Sequence, residues 1–276
     1  MTHHPSRFPI MFRHASHRHV RLVCAVFGLL VLLSSMPVLA QATRSATGIA
    51  TVKAALERMA PPASISDIRK APLPGFYQAL VGGRLVYVSA DGTWVMDGHL
   101  YDLAKGQDVS ERSMRRVRRA ALAKVPAGDF ITFAPAHPKY SVTVFTDLDC
   151  AYCRVLHRLM RQYNALGIAV HYLPWPRSGI KAVPSGKPTS SYLKAVAVWC
   201  AKDRKAAFDK AMAGHAMALA TCTNRVAADF RLGARIGVDG TPTVIAPDGA
   251  ELGGFVPPRQ LLQALQAQQH RGTTTR

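Results

Sequence analysis

Hydrophobic and polar positions follow two rhythms along this chain, and the change between them divides it. Residues 49–60 (IATVKAALERMA) repeat apolar positions at helical spacing, until PPAS and KAPLPG break the pattern. Short runs follow, FYQALV, RLVYVS, TWVMD and HLYDL, with Gly82-Gly83 and Asp91-Gly92 among the turn signals between them. Such runs of β-formers predict an antiparallel meander. Together with the helix they define a small N-terminal α+β domain over residues 41–105, without a cysteine or a cluster of catalytic residue types. Residues 110–124 (SERSMRRVRRAALAK) predict a helix capped by Ser110, with Arg112, Arg115, Arg116 and Arg119 on one side. Too few large apolar residues accompany those arginines for membrane insertion, so residues 106–125 read as a solvated helical linker.

From Tyr140 onward, strands and helices alternate. SVTVF predicts a strand, 152–164 a helix, IAVHYL a strand, 191–213 a helical region and 225–236 a further helix. TPTVIAP with its Asp248-Gly249 turn predicts a hairpin, and PPRQLLQALQAQ a closing helix that starts at its proline pair. A strand–helix–strand opening followed by a hairpin gives a mixed sheet covered by helices over residues 126–276, so the whole chain reads as α+β. Residues 176–190 (PRSGIKAVPSGKPTS) are rich in Pro, Gly and Ser and read as a mobile surface loop.

The start of the chain changes the setting. Residues 1–21 hold four arginines, five histidines and no acid; the apolar run Leu22–Leu33 and the small-residue exit Val38-Leu39-Ala40 follow. That order predicts a secretory signal peptide over residues 1–40, cleaved after Ala40. The apolar run is shorter than the roughly 20 residues a membrane span needs. The net charge of +19 admits nucleic acid as a partner in principle, but export and the dispersal of the basic residues argue against it. Of the five cysteines, Cys24 leaves with the leader. Cys150, Cys153, Cys200 and Cys222 then face an oxidising compartment, where four thiols allow two bridges in three connectivities.

Cys150 and Cys153 form a C-x-x-C pair in FTDLDCAYCRVLHRLM. A zinc site would need a second such pair or well-spaced histidines, and neither accompanies it, so no metal is expected. A purely structural bridge across so short a loop would remove little entropy from the unfolded chain. A working dithiol fits best. Cys150 falls at the start of a helix, where free backbone N–H groups and the helix dipole favour a thiolate. Cys150 is therefore assigned as the exposed nucleophile, and Cys153, a turn further in, as the resolving thiol.

With Gly240-Thr241-Pro242 far downstream, this pair resembles the thioredoxin fold. VTVFTDLDCAYC, YNALGIAVHYLPWPR, VWCAKDRKAAFDKAMAG and GVDGTPTV resemble, more closely, the DsbC/DsbG family of periplasmic thiol:disulfide interchange proteins. The resemblance implies a V-shaped homodimer joined through the N-terminal domains, with two thioredoxin-like domains facing a cleft for misfolded exported proteins. It implies isomerisation of wrong disulfides, an inner-membrane reductase of the DsbD type as partner, and no metal or organic cofactor. Thr241-Pro242 would be a cis peptide beside the dithiol, and Cys200–Cys222 a permanent structural bridge of the DsbC type. Related readings are a DsbG-like reductase of sulfenylated cysteines and a chaperone acting through the cleft alone. Ala151-Tyr152 stands where the family carries Gly-Tyr or Pro-Tyr, and Asp149 where DsbC has threonine; both positions are expected to tune the dithiol. The loop after Arg177 is longer than the family pattern.

Overall fold

The computed structural model describes residues 37–61 and 63–273. The basic start and apolar run of the expected signal peptide, with Cys24, lie outside them. From Thr51 onward the described residues form one compact unit. Among the described residues no helix is long and apolar enough to cross a membrane.

Helix α1 (Pro37–Met59) leads into the first sheet, whose strands β1 (Ile65–Lys70), β2 (Phe76–Val81), β3 (Arg84–Ser89) and β4 (Val95–Asp97) lie in chain order, each pair antiparallel. Gly82 and Gly83 close the β2–β3 hairpin at φ +57° and +89°, the two positive values that a two-residue turn of this hand requires. ISDIRK, which the sequence pattern left between two chain breaks, is strand β1. A bulge at Ser66–Arg69 interrupts its alternation, with Asp67 at φ +54°. HLYDL does not join this sheet. Its β5 (Tyr101–Asp102) pairs instead with β6 (Gln107–Asp108) in a separate ribbon.

Helix α2 (Val109–Leu122) starts one residue earlier than its sequence suggested, and Asp108, not Ser110, caps it by accepting the Glu111 N–H. Ser110 is buried and bonds Tyr87 Oη at 2.7 Å and the Leu100 N–H at 2.8 Å. Nor is α2 a solvated linker. Met114 packs with Leu80, Leu85 and Tyr87 of the first sheet, while Val117, Ala121 and Leu122 pack against the apolar group around Phe145, Trp175 and Ile236. Arg118 is 6% exposed, ion-paired to Glu111 and Glu251. The helix therefore seats one sheet on the other domain.

That domain carries β7 (Ile131–Phe133), β8 (Tyr140–Thr146), β9 (Ile168–Pro174), β10 (Thr243–Ile245) and β11 (Glu251–Gly253) in the order β11-β10-β8-β9-β7. Only the β8–β9 pair is parallel. Helices α3 (Ala151–Arg158), α4 (Met160–Ala165) and α8 (Pro258–Thr273) contribute Leu156, Met160, Tyr163 and Leu261 to one core, together with Val142 and Val144 of the sheet. Helix α7 (Val226–Arg235) meets Phe145 and Ile245 on the other face. The helical region expected over 191–213 is two helices, α5 (Ser190–Trp199) and α6 (Arg204–Met212), the second capped by Asp203. Central strand β8 runs straight into the C-x-x-C turn, which brings the dithiol to the end of the sheet.

Candidate active site

Cys150 is the N-cap of α3, with extended backbone (φ −81°, ψ 122°), and its sulfur accepts the Cys153 N–H at 3.4 Å. The first turn of a helix leaves N–H groups unsatisfied, and here a sulfur takes one of them. The Thr241–Pro242 peptide is cis, as the resemblance implied, and the Thr241 carbonyl accepts from the Cys150 thiol at 3.1 Å. That loop covers the sulfur. Cys150 is only 2% exposed and Cys153 fully buried, so the nucleophile is less open than its position at a helix start led one to expect. Tyr152, between them, stands 65% exposed.

The two thiols are driven apart. Cys150 is lowered from 9.0 to about 5, chiefly by the Cys153 side chain, against an opposing cost of burial; the Thr241 hydroxyl, the Cys153 N–H and the Arg177 charge add to the lowering. Cys153 is raised well above the ordinary thiol range by burial and by its neighbour Cys150. One sulfur is thus a thiolate near neutral pH and the other a thiol, as an attacking and a resolving group require.

Asp149 bonds Lys194 Nζ at 2.7 Å and lies 3.7 Å from Arg154, so its carboxylate is matched by two cations. Arg154 donates Nε to the Leu148 carbonyl. The cation that acts on Cys150 is Arg177, from the segment read as a loose loop. Buried Asp147 holds the start of that segment, accepting N–H groups from Arg177 at 2.7 Å and Asp149 at 2.8 Å and the Ser191 hydroxyl at 3.1 Å. The anchoring role of Asp147, and with it Arg177 as the cation beside Cys150, does not show in the sequence because Arg177 and Ser191 lie 30 and 44 positions from Asp147. Cys200 and Cys222 are disulfide-bonded, with Cα atoms 5.6 Å apart. Among the described residues no cluster of three or more metal-ligating side chains occurs.

A thiolate capping a helix, with a buried partner thiol one turn in, is built to exchange with disulfides, and the mixed sheet that carries it places the molecule in the thioredoxin class. Residues 128–269 match the thioredoxin-like domain model, and residues 39–111 match the model of the disulfide bond isomerase N-terminal domain. The thiol:disulfide interchange protein DsbC of Escherichia coli K12 is 35% identical over 205 residues, covering 74% of this chain and 82% of that protein. Its namesake from Dickeya dadantii is 32% identical over 237 residues, covering 86% and 94%. Among solved structures, a disulfide interchange protein from Neisseria gonorrhoeae aligns over 51% of this chain and 99% of its own, at 26% identity and a TM-score of 0.43. This chain belongs to the DsbC family of thiol:disulfide interchange proteins.

Proposed function

We propose that the mature protein is a homodimeric periplasmic disulfide isomerase in which Cys150 attacks a wrong disulfide of an exported client and Cys153 resolves the mixed disulfide. Cys150 Sγ attacks one client sulfur, the client S–S bond breaks, and the other client sulfur leaves as a thiolate. That thiolate attacks a different disulfide, or Cys153 displaces the first sulfur and forms the Cys150–Cys153 bond. A DsbD-type inner-membrane reductase would then return the pair to dithiol. The observation that carries this reading is the division of labour at the pair, a lowered Cys150 at the helix N-cap beside a buried Cys153.

Dimer formation is supported by edge strand β4. It presents Val95 and Met96 at 39% and 42% exposure, with Trp94 just before it at 69%, beside an unpaired strand edge that a second copy can extend. Two dithiols in one assembly would raise the local concentration of attacking groups around a bound client. The domain division at 41–105, 106–125 and 126–276 belongs to this reading, as do export with cleavage after Ala40, the permanence of the Cys200–Cys222 bridge and the tuning roles of Ala151, Tyr152 and Asp149. Refolding a scrambled multi-disulfide protein tests it. The full chain should restore the native disulfides, Cys150→Ser should abolish the activity, and a full-length Cys150→Ser protein that isomerises normally would end it.

A further inference from the structure

The connection between α6 and α7, residues 213–225, holds no helix or strand. Connections of that length in a compact domain are commonly binding loops. This one is fixed at both ends. The Gly214 and His215 N–H groups donate to the Ala211 and Lys210 carbonyls, and Cys222 is bridged to Cys200, the C-cap of α5. Between those anchors Met217 packs against the main core while Leu219 stands 69% exposed. A single exposed leucine is ordinary, but Leu219 is not alone. With Leu148, Leu193, Ala211 and Met217 it lines one groove of about 420 Å³, within the range of sites that hold ligand groups.

The groove is continuous with the dithiol site. Asp149, which also lines it, is the chain neighbour of Cys150, and consecutive Cα atoms lie about 3.8 Å apart. The charged groups at that end are matched to one another. Lys194 Nζ bonds Asp149 Oδ1 at 2.7 Å, and Arg154 lies 3.7 Å from the same oxygen and donates to the Leu148 carbonyl at 3.0 Å. What remains for a bound chain is apolar contact. A client under attack has its cysteine fixed at Cys150, and an extended chain advances about 3.3–3.6 Å per residue, so its nearest flanking residues pass the groove. We propose, resting on the exchange reading above, that this groove is a client subsite. It takes an apolar side chain from an extended client segment, within about four residues of the attacked cysteine, and Met217 and Leu219 determine that specificity. In a folded client the residues around a buried disulfide are enclosed. The subsite therefore directs Cys150 to disulfides in unfolded segments, which is where wrong pairings are exposed.

The test measures the rate at which reduced full-length protein reacts with short peptides joined as symmetrical disulfide dimers, below saturation and by rapid acid quench. The peptides carry leucine or serine at one position, moved in turn through the residues flanking the cysteine. At one or more positions leucine peptides should react roughly fivefold faster than serine peptides or more, the effect of burying part of one leucine. Leu219→Ser and Met217→Ser should bring that ratio close to one. Serine peptides should still react at the wild-type rate, and the Cys150 thiolate titration should not move. Leu103→Ser, changed at a side chain 90% exposed in the β5–β6 turn, should keep the ratio. If Met217→Ser misfolds, Leu219→Ser decides, because its side chain is already in water. No leucine preference in the wild type, a preference that survives Leu219→Ser, or an equal loss in Leu103→Ser overturns the subsite. Slower reaction of serine peptides in Leu219→Ser overturns it too, since the side chain would then act on the thiol. An intact preference with slower re-reduction by a thioredoxin-class reductant would give the groove to the reducing partner instead. If wild-type protein reacts with neither kind of peptide, the exchange reading fails first.

Discussion

Replacing Cys153 by alanine should raise the Cys150 pKa by one to two units, because the neighbouring side chain is the largest influence holding it near 5. A hydrogen bond to a charged group is worth about 1.5–3 kcal/mol. At 1.36 kcal/mol per pKa unit, that loss moves Cys150 to about 6–7 and still leaves it below an ordinary thiol. The Thr241 hydroxyl, the Cys153 N–H and Arg177 remain in place to account for the residual lowering. Ultraviolet absorbance of the thiolate against pH reads the value directly. Alkylation provides a second reading: at pH 6 the thiolate fraction should fall about two- to tenfold in the variant.

Two further variants show whether this reasoning has the right order. Arg177→Gln removes the smallest of the lowering influences and should raise Cys150 by less than Cys153→Ala does. Asp149→Thr removes a carboxylate already matched by Lys194 and Arg154, so the pKa should fall by only about half a unit. A value that stays near 5 in Cys153→Ala, or an Asp149→Thr shift larger than the Cys153→Ala shift, would refute the assignment. Either result would mean that the helix end or the carboxylate controls the thiolate.

The lowered Cys150 also links redox state to acid stability. Its folded pKa lies below the unfolded value, so its contribution is fully present above pH 9.0 and is lost as pH falls through about 5. Reduced protein should therefore lose stability over that window in denaturant titrations, relative to oxidised protein. Buried Asp229 has the opposite sign: burial raises its carboxyl to about 6, so its contribution is present below the unfolded carboxylate pKa and lost as pH rises through about 6. Asp229→Asn should stabilise the protein at neutral pH by about 1–2 kcal/mol, with no gain in acid, in the same assay. Replacing Cys200 and Cys222 by serine, which opens a bridge of separation 22, should cost about 3 kcal/mol in that assay while leaving reduction of a simple peptide disulfide intact. Trp94→Asp with Met96→Asp should convert a sedimenting dimer to a monomer and remove most activity on scrambled substrates, without loss of peptide reduction.

What the sequence showed and what it hid separate along a physical line. FYQALV, RLVYVS and SVTVF were legible because burial on a sheet is written in a few adjacent residues. Cys150 at a helix start was legible for the same reason, since a cap depends on the residues that follow it. ISDIRK was missed because its bulge at Asp67 destroys the alternation, and Asp67 tolerates that backbone while bound by Arg69 and Arg116. The cap of α2 was misplaced by two residues because Ser110 and Asp108 are equally good capping types, and only the contact of Ser110 with Tyr87 removes it from the choice. Charge was the least legible property. Asp149 beside the nucleophile reads from the sequence as a carboxylate opposing a thiolate, yet Lys194, 45 positions later, takes it up. Arg177, within a segment that composition marks as loose, is fixed by a buried carboxylate from the strand end. A thiol's position follows from local order, but its acidity follows from which distant side chains the fold returns to it. The Ala151-Tyr152 dipeptide alone therefore cannot set the character of this dithiol; Cys153, Thr241 and Arg177 share in setting it.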